Sequence, residues 1–147
     1  MRLSAGDNFG EEALIAGGKR NASVVMETDG VLMRLPKSDF LELMNEPLLK
    51  WITFSDAKAM IPDGAIWIDV RLPQEYQTQH IKGAVNIPLP LIRMKFDKLD
   101  HKHRYLIYCD TGRRSSIAAY LLSQNGYHAF VLQGALQGVS EDEMVKS

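Results

Sequence analysis

A single cysteine among 147 residues rules out any disulfide within the chain, a usage that fits a reducing compartment. Charge imbalance is missing too, since 17 Lys and Arg face 18 Asp and Glu for a net charge of −1. That balance gives no electrostatic reason to expect nucleic acid or an anionic membrane as partner. The N-terminus, Met1-Arg2-Leu3-Ser4-Ala5-Gly6, has no apolar core of the kind a secretion signal needs. The long uncharged stretch from Ser115 to Ser140 is broken by Gln124-Asn125-Gly126, and its Gln and Ser content makes it a poor bilayer span. The chain is therefore expected to be cytoplasmic. No Cys/His spacing matches a zinc site, so no metal and no other cofactor is expected. His101 and His103 lie in the basic run from Lys98 to Arg104, which reads as a solvated turn. Internal repeats and low-complexity segments are also missing.

What remains is an ordinary globular composition, 46% apolar and 24% charged, with enough length for one domain or a small domain plus a fragment. Residues 1 to 21 are Gly-rich and aperiodic, which predicts a long loop. Ala22 to Thr28 and Val31 to Leu35 read as strands joined by Thr28-Asp29-Gly30, a hairpin signal. Ser38 or Asp39 is placed to cap a helix through Phe40, Leu41, Leu43 and Met44, ended by Pro47. Character changes near Trp51. From Ser55 onward helices and strands alternate, the pattern of an α/β domain with a mainly parallel sheet. Ser55 is read as the cap of a helix from Asp56 to Ile61, followed by a strand from Ala65 to Val70. Pro73 opens a short helix. Val85 to Pro88 reads as a short strand, and Leu91 to Phe96 as helical. His128 to Leu132 is read as the last strand, and Glu141 to Ser147 as a solvated acidic tail. The expected divisions are 1–50, 51–140 and 141–147.

The cysteine lies in Cys109-Asp110-Thr111-Gly112-Arg113-Arg114-Ser115. Before it, Tyr105-Leu106-Ile107-Tyr108 reads as a buried strand; after it, Ser116 to Leu122 reads as a helix. A thiol at a helix N-terminus meets free N–H groups and the positive end of the helix dipole. Two arginines add to that field. Such settings favour the thiolate, the form that acts as nucleophile. A polar, basic, Gly-containing loop is a poor home for a merely structural cysteine, which packs among apolar neighbours. The expectation is an exposed, reactive thiol.

From Phe54 to about Gly138 the chain resembles the rhodanese homology domain. The residues that carry the resemblance are Asp69-Val70-Arg71, Glu75-Tyr76 and the run His80-Ile81-Lys82-Gly83-Ala84-Val85-Asn86-Ile87-Pro88. The loop from Cys109 to Arg114, the Gly126-Tyr127 helix exit and Leu132-Gln133-Gly134 complete it, in the family's order and spacing. The resemblance implies a five-stranded parallel sheet flanked by helices. It also implies a sulfurtransferase in which Cys109 accepts a sulfane sulfur as a persulfide and passes it to a thiol or cyanide. The partner in the first step would be a small anionic donor such as thiosulfate. Asp110, Thr111, Gly112, Arg113 and Arg114 would form the substrate-binding loop, with Arg114 preferred to Arg113 for the donor's oxygens because it closes the loop. Asp69, Arg71 and His80 are expected to support the site rather than react. Related phosphatase loops place Arg one residue further on, where this chain has Ser115, so phosphate chemistry is disfavoured. One departure concerns the C-terminal edge, where Ala135-Leu136-Gln137 replaces the family's second glycine and tryptophan.

The N-terminal third resembles a different family. Phe9-Gly10-Glu11-Glu12-Ala13-Leu14-Ile15 followed by Lys19-Arg20-Asn21-Ala22-Ser23-Val24 is similar to the phosphate cassette of a cyclic nucleotide-binding domain. In that pattern Glu11 takes the ribose hydroxyl, Arg20 the cyclic phosphate, and the Gly10 region supplies backbone donors. The family's barrel has further strands upstream, so about 50 residues make a β-hairpin plus helix remnant of a jelly roll, with open edges. Its exposed valines and leucines make a homodimer through this segment an expectation. The alternative function is a regulatory module coupling nucleotide sensing to the rhodanese-like part.

Overall fold

The computed structural model describes residues 2–15, 18–20, 22–43 and 49–147. They fall into two compact units, residues 1–48 and 49–147. In the first, helix α1 (Glu11–Ile15) and helix α2 (Lys37–Leu43) are formed. Helix α2 starts before the expected caps, with Phe40 N–H donating to Pro36 O at 2.9 Å, so Ser38 and Asp39 lie inside the first turn. The expected stop at Pro47 lies outside the described residues.

The hairpin expected over residues 22–35 does not form a strand pair among the described residues. Two strands without a third strand or a packing surface are marginal in water. Here the apolar side chains find no such surface: Val25, Val31 and Met33 are 81%, 91% and 97% exposed.

The second unit is built on one sheet. Its strands are β1 (Lys50–Ile52), β2 (Ile66–Asp69), β4 (Val85–Asn86), β5 (Arg104–Tyr108) and β6 (His128–Leu132), in the order β1-β6-β5-β2-β4. Every pairing in it is parallel. Parallel strands are covered on both faces and so read as unbroken apolar runs, as Tyr105 to Tyr108 does, with each residue at most 1% exposed. Trp67 of β2 lies in this core between Phe54, stacked at 5.8 Å, and Tyr108, edge-on at 5.9 Å. Helix α3 (Phe54–Met60) follows β1, helix α4 (Pro73–Thr78) follows β2, and helix α5 (Arg113–Gln124) joins β5 to β6. Between β4 and β5 the chain makes a 3₁₀ segment, Leu89–Lys98.

Helix α3 begins two residues earlier than expected. Thr53, in extended conformation, accepts the Asp56 N–H at 3.2 Å and is the cap, which leaves Ser55 inside the helix. Helix α5 lays Ser115, Ala118, Ala119 and Leu122 in its buried set, a one-face spacing whose small side chains let the helix sit close to the sheet. Gly126, at φ +80°, ends it in the left-handed conformation expected there.

The acidic tail is not a solvated tail, and β6 is not the last strand. Residues Met144–Lys146 form β7, antiparallel to β3 (Gln79–Ile81), with Ile81 opposite Met144. Met144 is buried, and Lys82 N–H and Ser147 N–H extend the contact to Glu143 O and Thr78 O. Two apolar residues behind three acidic ones are too short a strand signal to read in sequence. A chain ending at Ser140 should lose about 2 kcal/mol, the scale of uncovering one large apolar side chain. Urea denaturation of both lengths checks this.

Candidate active site

Cys109 leaves the sheet at the C-terminal end of β5, beside Asp69 at the end of β2, since Asp69 and Tyr108 are register partners. Crevices at such strand ends are where open α/β sheets bind ligands. Gly112, at φ +87°, turns the chain into α5, a conformation glycine adopts at no steric cost. The turn aims two backbone donors at the sulfur: Gly112 N–H at 3.0 Å and Ser115 N–H at 3.4 Å from Sγ. Ser115 Oγ lies 3.3 Å from the same atom. Ser116 Oγ donates to Gly112 O at 2.6 Å and holds the turn against the helix.

The thiol is fully buried, not exposed as its basic loop suggested. It stands at the very end of a strand that is covered on both faces, and its own carbonyl accepts Leu136 N–H at 3.3 Å. Yet its neighbours are amides and hydroxyls, so the burial is polar. The two amides lie where negative charge on the sulfur would accept their hydrogen bonds. Ala135, just before Leu136, holds φ +50°, in the place where the resemblance calls for a second glycine. A side chain in that region costs about 1–2 kcal/mol, so this edge of the site is strained.

The two arginines have different surroundings. Arg114 meets Glu75 fork to fork, Nη1 to Oε2 and Nη2 to Oε1 both at 2.7 Å, and Nη2 also reaches Asp110 Oδ1 at 2.9 Å. The hydrogen bonds from Arg114 hold the Glu75 carboxyl down at about 2 and also lower Asp110, while Glu75 raises Arg114. Arg113 is exposed and has no ion-pair partner among the described residues. The sequence preference for Arg114 as donor-facing cation therefore meets a guanidinium already occupied by two carboxylates. Thr111 is exposed, and its N–H turns to Asp110 Oδ1 at 3.0 Å instead of to the sulfur.

Beneath the loop lies a buried polar network. Asp69 accepts Arg71 N–H at 2.9 Å, Nε at 3.0 Å and Nη2 at 2.6 Å, and Arg71 Nη2 also donates to Gln79 O at 2.6 Å. Tyr108 Oη accepts Ile81 N–H at 3.1 Å. Burial first, then the Asp69 charge, push the Tyr108 phenol far above its ordinary range. Asn86 Nδ2 ties the ends together by donating to Asp69 O and Arg71 O, both at 3.0 Å. His80 stacks on Tyr76 at 3.9 Å, with Nδ1 2.9 Å from Tyr76 O. Sequence reasoning missed Tyr108, Ser115 and the role of Glu75. The signal for Glu75 was its place three residues past Leu72, whose N–H it accepts at 2.9 Å.

In the first unit, Gly10 is at φ +89°, and a Cβ built there would meet the Arg20 guanidinium at 3.2 Å. Glu11 Oε2 is shielded and lacks a hydrogen-bond partner among the described residues. Among the described residues no group of three or more His, Cys, Asp or Glu is placed to hold a metal ion, and no helix is long and apolar enough to cross a membrane.

Residues 53–142 match the family model of the rhodanese-like domain, and residues 1–46 that of the cyclic nucleotide-binding domain. Thiosulfate sulfurtransferase PspE of Escherichia coli K12 is 37% identical over 76 residues, half of this chain and 73% of PspE. The tRNA sulfurtransferase of Shewanella woodyi is 35% identical over 80 residues, but this chain spans only 16% of it. Among solved structures, a rhodanese-related protein from Thermoplasma volcanium has a TM-score of 0.56 at 31% identity, over 60% of this chain and 87% of that one. Reduced CoADR-RHD of Bacillus anthracis gives 0.63 at 25% identity, over 74% of this chain and 19% of the other. With a buried cysteine cradled at the end of a parallel strand, and with more than half of its length matched, the chain belongs to the rhodanese-like domain family, among relatives that include sulfurtransferases.

Proposed function

We propose that this chain transfers sulfane sulfur through a persulfide on Cys109, with thiosulfate as a competent donor. The observation that carries the reading is the convergence of Gly112 and Ser115 amides on Sγ. The Cys109 thiolate attacks the outer sulfur of thiosulfate, a Cys–S bond forms, and the S–S bond breaks. Sulfite leaves with the electron pair. The terminal persulfide sulfur inherits negative charge at a helix N-terminus, where such charge is favoured. A thiolate or cyanide then attacks that sulfur, and the Cys109 thiolate leaves. No proton transfer is needed in either displacement, which accords with His80 being used in packing. Arg113, exposed at the first residue of α5, is the cation assigned to the donor's oxygens. Intact mass after thiosulfate treatment tests the proposal.

A second reading concerns the first unit. The placement of Arg20 over Gly10 and the unpartnered oxygen of Glu11 support a cyclic nucleotide as ligand. Calorimetric titration with cyclic AMP and cyclic GMP should give heat that Arg20→Ala removes. No heat from the unsubstituted chain ends that reading.

A further inference from the structure

A series of charged contacts runs from α4 into the cysteine loop. Leu72 N–H donates to Glu75 Oε2, Arg114 grips both Glu75 oxygens, the same guanidinium reaches Asp110 Oδ1, and Thr111 N–H donates to that oxygen. Asp110 and Arg114 bracket residues 111 to 113, so their ion pair draws the loop closed across Gly112. The two amides that face the sulfur belong to Gly112, inside the bracket, and to Ser115, the residue after Arg114. Paired charged forks of this kind are the strong and directional hydrogen bonds. Their anchor is Glu75, on another element and 39 residues from Arg114.

We propose that Glu75 is a positioning residue for the sulfur chemistry: through Arg114 and Asp110 it holds the Gly112 and Ser115 amides on Cys109 Sγ. The proposal rests on the reading of Cys109 as nucleophile. It has a distinctive sign. Glu75 acting only as a nearby negative charge would disfavour the thiolate, and its removal would speed reactions of the sulfur. Glu75 acting as an anchor has the opposite effect, because losing it loosens the donors that favour the thiolate.

The test is the rate of Cys109 alkylation by iodoacetamide across pH, in the unsubstituted chain, Glu75→Gln, Arg114→Lys and the double variant. Glu75→Gln should react roughly tenfold more slowly at neutral pH, the scale of one charge-assisted hydrogen bond, with its profile moved to higher pH. The double variant should be no slower than Arg114→Lys alone, since Glu75 acts through Arg114. Faster alkylation, unchanged alkylation or additive losses overturn the proposal. Should Glu75→Gln fail to fold by circular dichroism, Asp110→Asn, at the other end of the series, carries the same expectation. Alkylation needs no sulfur donor. A chain that takes up no sulfur yet shows these shifts loses the transfer function and keeps the positioning role.

Discussion

Thiosulfate should leave the chain heavier by one sulfur atom, and the Cys109→Ala chain unchanged. The substitution removes the sole thiol of the sequence while leaving the amides of Gly112 and Ser115 and the fold of the loop. Transfer to cyanide should fall at least about a thousand-fold, to background, because the covalent intermediate has no other atom on which to form. Treatment with cyanide should return the loaded chain to its starting mass. Arg113→Ala should still take up the sulfur, with a KM for thiosulfate raised about tenfold, the scale of one charged hydrogen bond. An adduct that persists in Cys109→Ala would overturn the transfer mechanism.

The second large effect is one of stability. Asp69 is fully buried, and Arg71, 6% exposed, donates three of its N–H groups to it. Asp69→Ala leaves a guanidinium in the interior with Gln79 O as its one hydrogen-bond partner among the described residues, beside the face of the Tyr108 ring at 5.8 Å. Breaking a buried ion pair from one side costs about 3–5 kcal/mol. For a domain of ordinary stability, about 5–15 kcal/mol, that is about a fifth of the total at the least. Urea unfolding should show the loss, and replacing Asp69 and Arg71 together by apolar residues should cost less than Asp69→Ala. A single-variant loss under about 1 kcal/mol would mean the pair is not holding the strand end as described.

Legibility in the sequence followed local chemistry. Tyr105 to Tyr108 and the helix after Gly112 could be read because a doubly covered strand is a continuous apolar run and the turn demands a glycine. The supporting role of Asp69 and Arg71 was legible because the two sit two residues apart at a strand end, where the structure pairs them. Strands β1, β3 and β7 were not, each being three residues long with no room for a period to show. The state of Arg114 was hidden for another reason: its partner lies across the fold, and no local pattern links Glu75 to it. Burial of the thiol was misjudged because the polar residues around it suggest water, whereas here they supply hydrogen bonds in its place.

Among the described residues strand β1 has one neighbour in the sheet, β6, with Lys50 opposite Phe130. During synthesis the opening strand must wait for about eighty further residues to leave the ribosome before it can dock, a closure over long range of the kind that slows folding. Throughout that interval the nascent sheet presents bare edges to other chains. Arrest of translation before Leu132 would thus yield a nucleophile already in sequence but an unfinished sheet, a natural client for holding chaperones.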